Sequence, residues 1–208
     1  QVVKSVDGNG AETTFEYDKE GRLLKTTYAD GTTDTKTYDA VGNVLTSVNA
    51  KGEKVEYTYD AVDQVISQSV VSGKEKHTTS FTYLANGKLA STTYPDGSTE
   101  SYEYDLAGRM LSVTDASGNQ TVMTYDSNGN MLTSTDAEGN KTVYTYDAYG
   151  RVLSMTDPNG NVTTYDEYDV NGNCLQSTLP NGLVVTHTYD ALGRLIKSVT
   201  GEISILYT

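Results

Sequence analysis

His77, His187 and Cys174 are the residues of this chain whose side chains act most readily as base or nucleophile near neutral pH. Nucleophilic chemistry needs such a thiol beside an imidazole, with a third group orienting the base. Cys174 carries no local nucleophile signature, and its slot is held elsewhere by Leu, Val or Met, so it reads as a small apolar residue. His77 falls in an irregular insertion and His187 takes a slot held elsewhere mostly by aromatics; both read as structural. Oxygen-rich stretches such as Asp126-Ser127-Asn128-Gly129-Asn130 and Asp169-Val170-Asn171-Gly172-Asn173 suggest a hard cation, but their spacing matches neither an EF-hand loop nor a glycine-rich nonapeptide. Asp, Asn and Gly are also what tight turns demand. No catalytic residue, metal or cofactor is therefore expected.

What positions these residues is a repeat. A tyrosine recurs at Tyr17, Tyr38, Tyr59, Tyr83, Tyr104, Tyr125, Tyr146, Tyr168 and Tyr189, in steps of 21, 21, 24, 21, 21, 21, 22 and 21. Aspartate follows it in every copy but one, where Leu84 stands. Glycine comes four residues after the tyrosine at Gly21, Gly42, Gly87, Gly108, Gly129, Gly150, Gly172 and Gly193, with Asp63 in the remaining copy. A second glycine, from Gly31 to Gly182, lies fourteen after the tyrosine in most copies, and Pro95, Pro158 and Pro180 all sit two residues before it. Glycine supplies the positive φ of a tight reversal, and proline pre-sets the second residue of one. Each unit thus holds two hairpin turns, a first turn after the tyrosine and a second turn after the proline slot.

Between the turns, Phe15, Tyr57, Phe81, Tyr102, Met123, Tyr144 and His187 sit two before a tyrosine, with Glu or Thr between. This period of two is that of a strand with one apolar face. The partner strand opens with an apolar pair, such as Val44-Leu45 or Val152-Leu153, and its sequence leaves open which member faces inward. The step of 24 places three extra residues near Lys74-Glu75-Lys76, expected to lengthen a hairpin tip, and the step of 22 near Tyr165 to Tyr168 is expected to be absorbed by a β-bulge. Asp63 in the glycine slot predicts an irregular first turn.

A unit this short cannot bury an apolar face alone, so residues 1–208 read as one array of about nine stacked repeats, cut at both ends. Roughly 18 strands at about 4.8 Å give a sheet on the order of 85 Å wide, which must curl. The fold class is all-β: antiparallel hairpin repeats of about 21 residues in a curled, spiralling open sheet. The formal charge of −13 and scattered Lys and Arg exclude a nucleic-acid surface. No apolar stretch approaches the roughly 18 residues that span a bilayer, so no membrane insertion by this segment is expected.

Tyr17-Asp18-Lys19-Glu20-Gly21-Arg22-Leu23 and Tyr189-Asp190-Ala191-Leu192-Gly193-Arg194-Leu195 carry the pattern Tyr-Asp-x-x-Gly-Arg-Leu, and Arg109 and Arg151 keep the arginine. The pattern resembles the Rhs/YD repeat family, and the resemblance covers essentially the whole chain. Asn43, Asn130, Asn173, Lys88 and Gln64 replace the arginine in the other copies. The resemblance implies a segment of a secreted or surface-exposed bacterial protein whose repeats wind into a hollow shell around a C-terminal toxic cargo. Its expected partners are flanking repeats and that cargo. Self-processing members carry Asp-Pro-x-Gly-Leu; Asp157-Pro158-Asn159-Gly160-Asn161 shares part of it but lacks the leucine and occupies an ordinary second-turn slot. A second expectation is a binding module, in which Tyr28 and Tyr94 stack on sugars or a protein partner, or exposed strand edges pair with another copy. The sequons headed by Asn119, Asn140 and Asn161 follow from the repeat itself.

Overall fold

A computed structural model describes residues 1–207. It is all strand and turn, with no helix among the described residues. The chain divides into two compact units, Gln1–Ser101 and Tyr102–Thr208.

The first unit runs through β1 (Lys4–Val6), β2 (Glu12–Tyr17), β3 (Leu23–Thr27), β4 (Thr33–Tyr38), β5 (Val44–Val48), β6 (Lys54–Tyr59), β7 (Val65–Ser72), β8 (Glu75–Tyr83) and β9 (Leu89–Thr93), and β10 (Thr99–Tyr104) contains the boundary. The second continues through β11 (Met110–Thr114), β12 (Gln120–Tyr125), β13 (Met131–Thr135), β14 (Lys141–Tyr146), β15 (Val152–Thr156), β16 (Val162–Tyr168), β17 (Cys174–Thr178), β18 (Val184–Tyr189), β19 (Leu195–Thr200) and β20 (Ile203–Leu206). Within each unit, strands adjacent in sequence pair antiparallel: β1 with β2 and onward to β9 with β10, then β11 with β12 and onward to β19 with β20. The expected antiparallel hairpins are therefore present within each unit.

Both departures from the 21-residue step fall where the sequence places them. β7 and β8 are eight and nine residues long, and their ladder extends to Ser72 opposite Glu75 at the tip. In β16 the register shifts on both sides of Glu167, beside Asp166, whose carboxylate accepts hydrogen bonds from Thr164 and Thr178. The Asp63 turn departs from expectation. Asp63 adopts a left-handed φ of 64°, so this turn keeps the form of its glycine counterparts. Aspartate is one of the few residues with a Cβ that enters this region readily.

The sheet has almost no conventional core. Val185 is the one buried apolar residue among those described, and no large side chain is fully buried. Packing is instead spread thinly over half-exposed rings and aliphatic groups. On the face away from the tyrosines, hydroxyl pairs cross the hairpins at Thr37 and Thr46, Thr58 and Ser67, Thr82 and Ser91, Thr124 and Thr133, and Thr145 and Ser154, each at 2.6 to 2.7 Å. Such cross-strand pairs stabilise a half-wet sheet by roughly 0.2–1 kcal/mol each.

The apolar pair is resolved by a bulge. Lys25 faces Glu16 while Leu23 faces Tyr17, so Leu24 has no residue of its own opposite it; the same shift precedes Tyr38, Tyr59, Tyr83, Tyr125, Tyr146 and Tyr189. The second member is the more exposed one at Leu45, Ile66, Leu111, Leu153 and Ile196. The first member contributes its backbone carbonyl to the contacts described below.

Candidate functional site

The first turns carry the recurring side-chain chemistry of the chain. In the loop from Asp105 to Arg109, the Asp105 amide donates to the Arg109 carbonyl at 2.9 Å, and the Gly108 amide donates to the Asp105 carbonyl at 2.9 Å. This is a short reversal that closes on a left-handed glycine. The Asp105 carboxylate then accepts the Arg109 amide at 2.8 Å and the Arg109 Nε at 2.6 Å. These bonds hold its carboxyl below the usual range, the backbone amide most strongly. The same arrangement recurs at Asp18 with Arg22, Asp147 with Arg151 and Asp190 with Arg194.

The arginine does not stop at its own loop. Arg109 Nη1 donates to the carbonyl of Asp126 in the following repeat at 2.7 Å, and its guanidinium carbon lies 5.0 Å from the centre of the Tyr125 ring. Tyr125 returns the contact, donating its hydroxyl to the Met110 carbonyl at 2.8 Å. Two consecutive repeats are thus tied in both directions by an arginine and a tyrosine. Arg22 does the same with Asp39 at 2.9 Å and the Tyr38 ring at 5.0 Å, while Tyr38 donates to Leu23. Arg151 lies between two rings, 4.8 Å from Tyr168 and 5.2 Å from Tyr149.

The tyrosine bond recurs beside Arg151, at Tyr168, and also where the arginine is replaced. Tyr17, Tyr59, Tyr83, Tyr146, Tyr168 and Tyr189 donate to the carbonyls of Val2, Val44, Val65, Met131, Val152 and Cys174. Each half-buried ring has a partner for its hydroxyl, which is the condition for sinking a phenol into a sheet. Among the repeats without arginine, Asn43, Asn130 and Asn173 keep the bond to their own loop aspartate. Asn43 also reaches Asp63 of the next turn at 2.7 Å.

The second turns are closed locally. Asp115, Asp136 and Asp157 accept the amide and side chain of Asn119, Asn140 and Asn161, four residues on. Asp157-Pro158-Asn159-Gly160-Asn161 is one of these, built like its neighbours. Tyr28 donates to Asp34 at 2.7 Å, and Tyr94 is bonded to Glu100; in each, the carboxylate raises the phenol pKa.

The histidines and cysteine sit apart from any common centre. His77 faces Glu75 at 3.5 Å on the exposed hairpin tip, and His187 Nδ1 meets Ser198 Oγ at 2.9 Å. Cys174 is half-buried with its thiol on the Gln176 carbonyl, and burial pushes its pKa up. The Asp126 and Asp169 carboxylates are spent on their own loops, and no group of three metal-ligating side chains occurs among the described residues. No helix of the described residues is long and apolar enough to cross a membrane.

Six of the first turns carry an exposed apolar residue at the tip, at Val41, Val62, Leu106, Tyr149, Val170 and Leu192, which no turn signal in the sequence marks. The second-turn tips carry Asp30, Lys51, Asp96, Ser117, Glu138 and Asn159 instead.

A family model described as Teneurin YD-shell matches residues 51–202, and one described as RHS Repeat matches residues 1–33. The chain belongs to the Teneurin YD-shell family. No curated protein matches the sequence. Among solved structures, this YD-shell chain resembles the crystal structure of TcdB2-TccC3-TEV, with a TM-score of 0.66 and 18% identity over 95% of this chain and 13% of that one. It also resembles a chain of the Photorhabdus luminescens Tc holotoxin pore carrying a TccC3 mutation, with a TM-score of 0.62 and 18% identity over 95% of this chain and 11% of that one. The segment spans about an eighth of the first of these, and the likeness is one of fold.

Proposed function

We propose that residues 1–208 form one continuous array of repeats in the wall of a secreted or surface-exposed YD shell that encloses a cargo, and that the segment performs no catalysis of its own. The carrying observation is the two-way tie between consecutive first turns, Arg109 to Asp126 and Tyr125 to Met110, repeated at Arg22 with Tyr38. A sheet without a filled core holds its curvature only if neighbouring units are fixed to each other, and these ties do that along one edge. Family membership and the fold shared with Tc toxin chains support a shell role. The residues expected to define the repeat, from Tyr17, Asp18, Gly21 and Arg22 to Tyr189, Gly193 and Arg194, serve the wall rather than a substrate in this reading.

The partners proposed are flanking repeats and the enclosed cargo. Ile203, Ile205 and Leu206 in the terminal strand are exposed and offer an edge to a further repeat or a second copy. Small-angle scattering on the 208-residue chain tests the wall reading. A curved ribbon gives a radius of gyration well above the about 17 Å of a compact domain of this length. A compact value, or hydrolytic or transfer activity intrinsic to the chain, overturns it.

A further inference from the structure

The third and fourth first turns differ from the rest in a way that defines a site. Gln64 stands where Arg22, Arg109 and Arg151 stand in other repeats, and Leu84 follows Tyr83 where aspartate follows the other tyrosines. The two turns remain adjacent, because Tyr83 donates to the Val65 carbonyl at 2.8 Å and Gln64 Nε2 donates to the Gly87 carbonyl at 3.0 Å. Gln64 therefore leans past Asp60. The Asp60 Oδ1 accepts the amides of Val62 and Gln64, both at 2.9 Å, but among the described residues its second oxygen has no side-chain donor of the kind that Arg Nε provides at 2.6 Å in Asp18 and Asp105. Beside it lies a groove of about 650 Å³ whose walls include Asp60, Val62, Ile66, Phe81, Tyr83 and Leu84.

We propose that this groove receives an arginine side chain presented by a partner polypeptide. The internal repeats show the pose: Nε on the aspartate, Nη1 on the backbone carbonyl after the next tyrosine, and the guanidinium about 5 Å from that tyrosine ring. At this position Asp60, the Leu84 carbonyl and the Tyr83 ring supply the same three elements. The Asp60 carboxylate lines the groove of a chain whose formal charge is −13, so the site favours a cation. A planar fork that stacks on an aromatic ring while donating to two oxygens is particular to arginine; a lysine ammonium does not reproduce it. The groove exceeds a single side chain in volume, which leaves room for the backbone that carries it.

The test is a heteronuclear NMR titration of the labelled 208-residue chain with Nα-acetyl-arginine amide, and with the lysine and citrulline equivalents. Saturable shifts confined to Asp60 to Gln64 and Tyr83 to Gly87, given by arginine alone, are expected. Gln64→Arg should abolish them while raising the melting temperature, because it fills the groove from within; Asp60→Asn should weaken them at least tenfold. No saturable shift with arginine, an equal response to lysine, or unchanged binding in Gln64→Arg would overturn the proposal. Gln64→Arg restores the residue of other repeats, so a fold defect does not obscure that arm.

Discussion

The two rows of turns share one backbone device and differ in where their side chains go. Gly129 and Gly139 both adopt left-handed φ, at 95° and 86°, and both follow an aspartate that caps its own loop through an asparagine. In the first row the chemistry then extends to the next repeat, through Arg22 and Arg109 and through the tyrosine hydroxyls. In the second row Asp115 and Asn119, Asp136 and Asn140, and Tyr28 and Asp34 each close within six residues. The turn residues of one row couple repeats and those of the other reverse the chain; beside the second row, Lys76 bonds Glu56 across repeats at 2.8 Å. Turn residues that owe nothing to their neighbours are free to vary without loosening the array.

Acid should act on both rows at once and have the largest effect. The carboxyls of Asp105 and Asp190 in the first row are lowered chiefly by backbone amides, and those of Asp115, Asp136 and Asp157 in the second chiefly by asparagine side chains. Because folded values lie below the unfolded value near 3.9, their stabilisation is fully present above about pH 5 and is lost as pH falls through about 4 toward the folded values. Circular dichroism against pH should show cooperative loss of strand in that range; a signal flat to pH 2 would contradict it.

Tyrosine truncation separates the rows. Tyr146→Ala removes a half-buried ring and its bond to Met131, and should cost roughly 2–3 kcal/mol in urea unfolding. Tyr28→Ala removes only a local contact and should cost less than about 1 kcal/mol. Equal losses would break the distinction. Arginine gives the next step: Arg109→Ala should cost about 1–2 kcal/mol and Asn119→Ala about 0.5 kcal/mol, measured the same way.

The smallest difference is also the most local. Gly150→Ala and Gly160→Ala each force a Cβ into a left-handed turn, with φ of 78° and 83°, at about 1 kcal/mol. A Cβ at Gly150 would lie 3.1 Å from Asn130 Oδ1 of the preceding repeat, whereas none meets an atom within 4 Å at Gly160. Thermal melts should therefore place Gly150→Ala below Gly160→Ala by a degree or more.

Much of this was legible from spacing, because a glycine turn and an alternating strand impose their periods directly on the sequence. The long hairpin at Lys74 and the bulge near Tyr165 were visible as changes of step for the same reason. The Asp63 turn was misread: the missing glycine signalled irregularity, yet aspartate tolerates the required φ and the backbone needed nothing more. The inward member of each apolar pair was illegible because the bulge opposite each tyrosine breaks the alternation that would have revealed it. The arginine ties were also out of reach, since Arg109 and Asp126 are 17 residues apart and meet only once two hairpins are stacked. The exposed row of Val41, Val62 and Leu106 carries no periodic strand signal, as it lies within turns.

The most direct test is a double-mutant cycle across one repeat boundary, pairing Arg109→Ala with Tyr125→Leu in urea unfolding of the 208-residue chain. Coupling through the first row predicts an interaction energy of at least about 0.5 kcal/mol between them. Additive losses, with no coupling beyond about 0.3 kcal/mol, would mean that the arginine and tyrosine do not bind neighbouring repeats together.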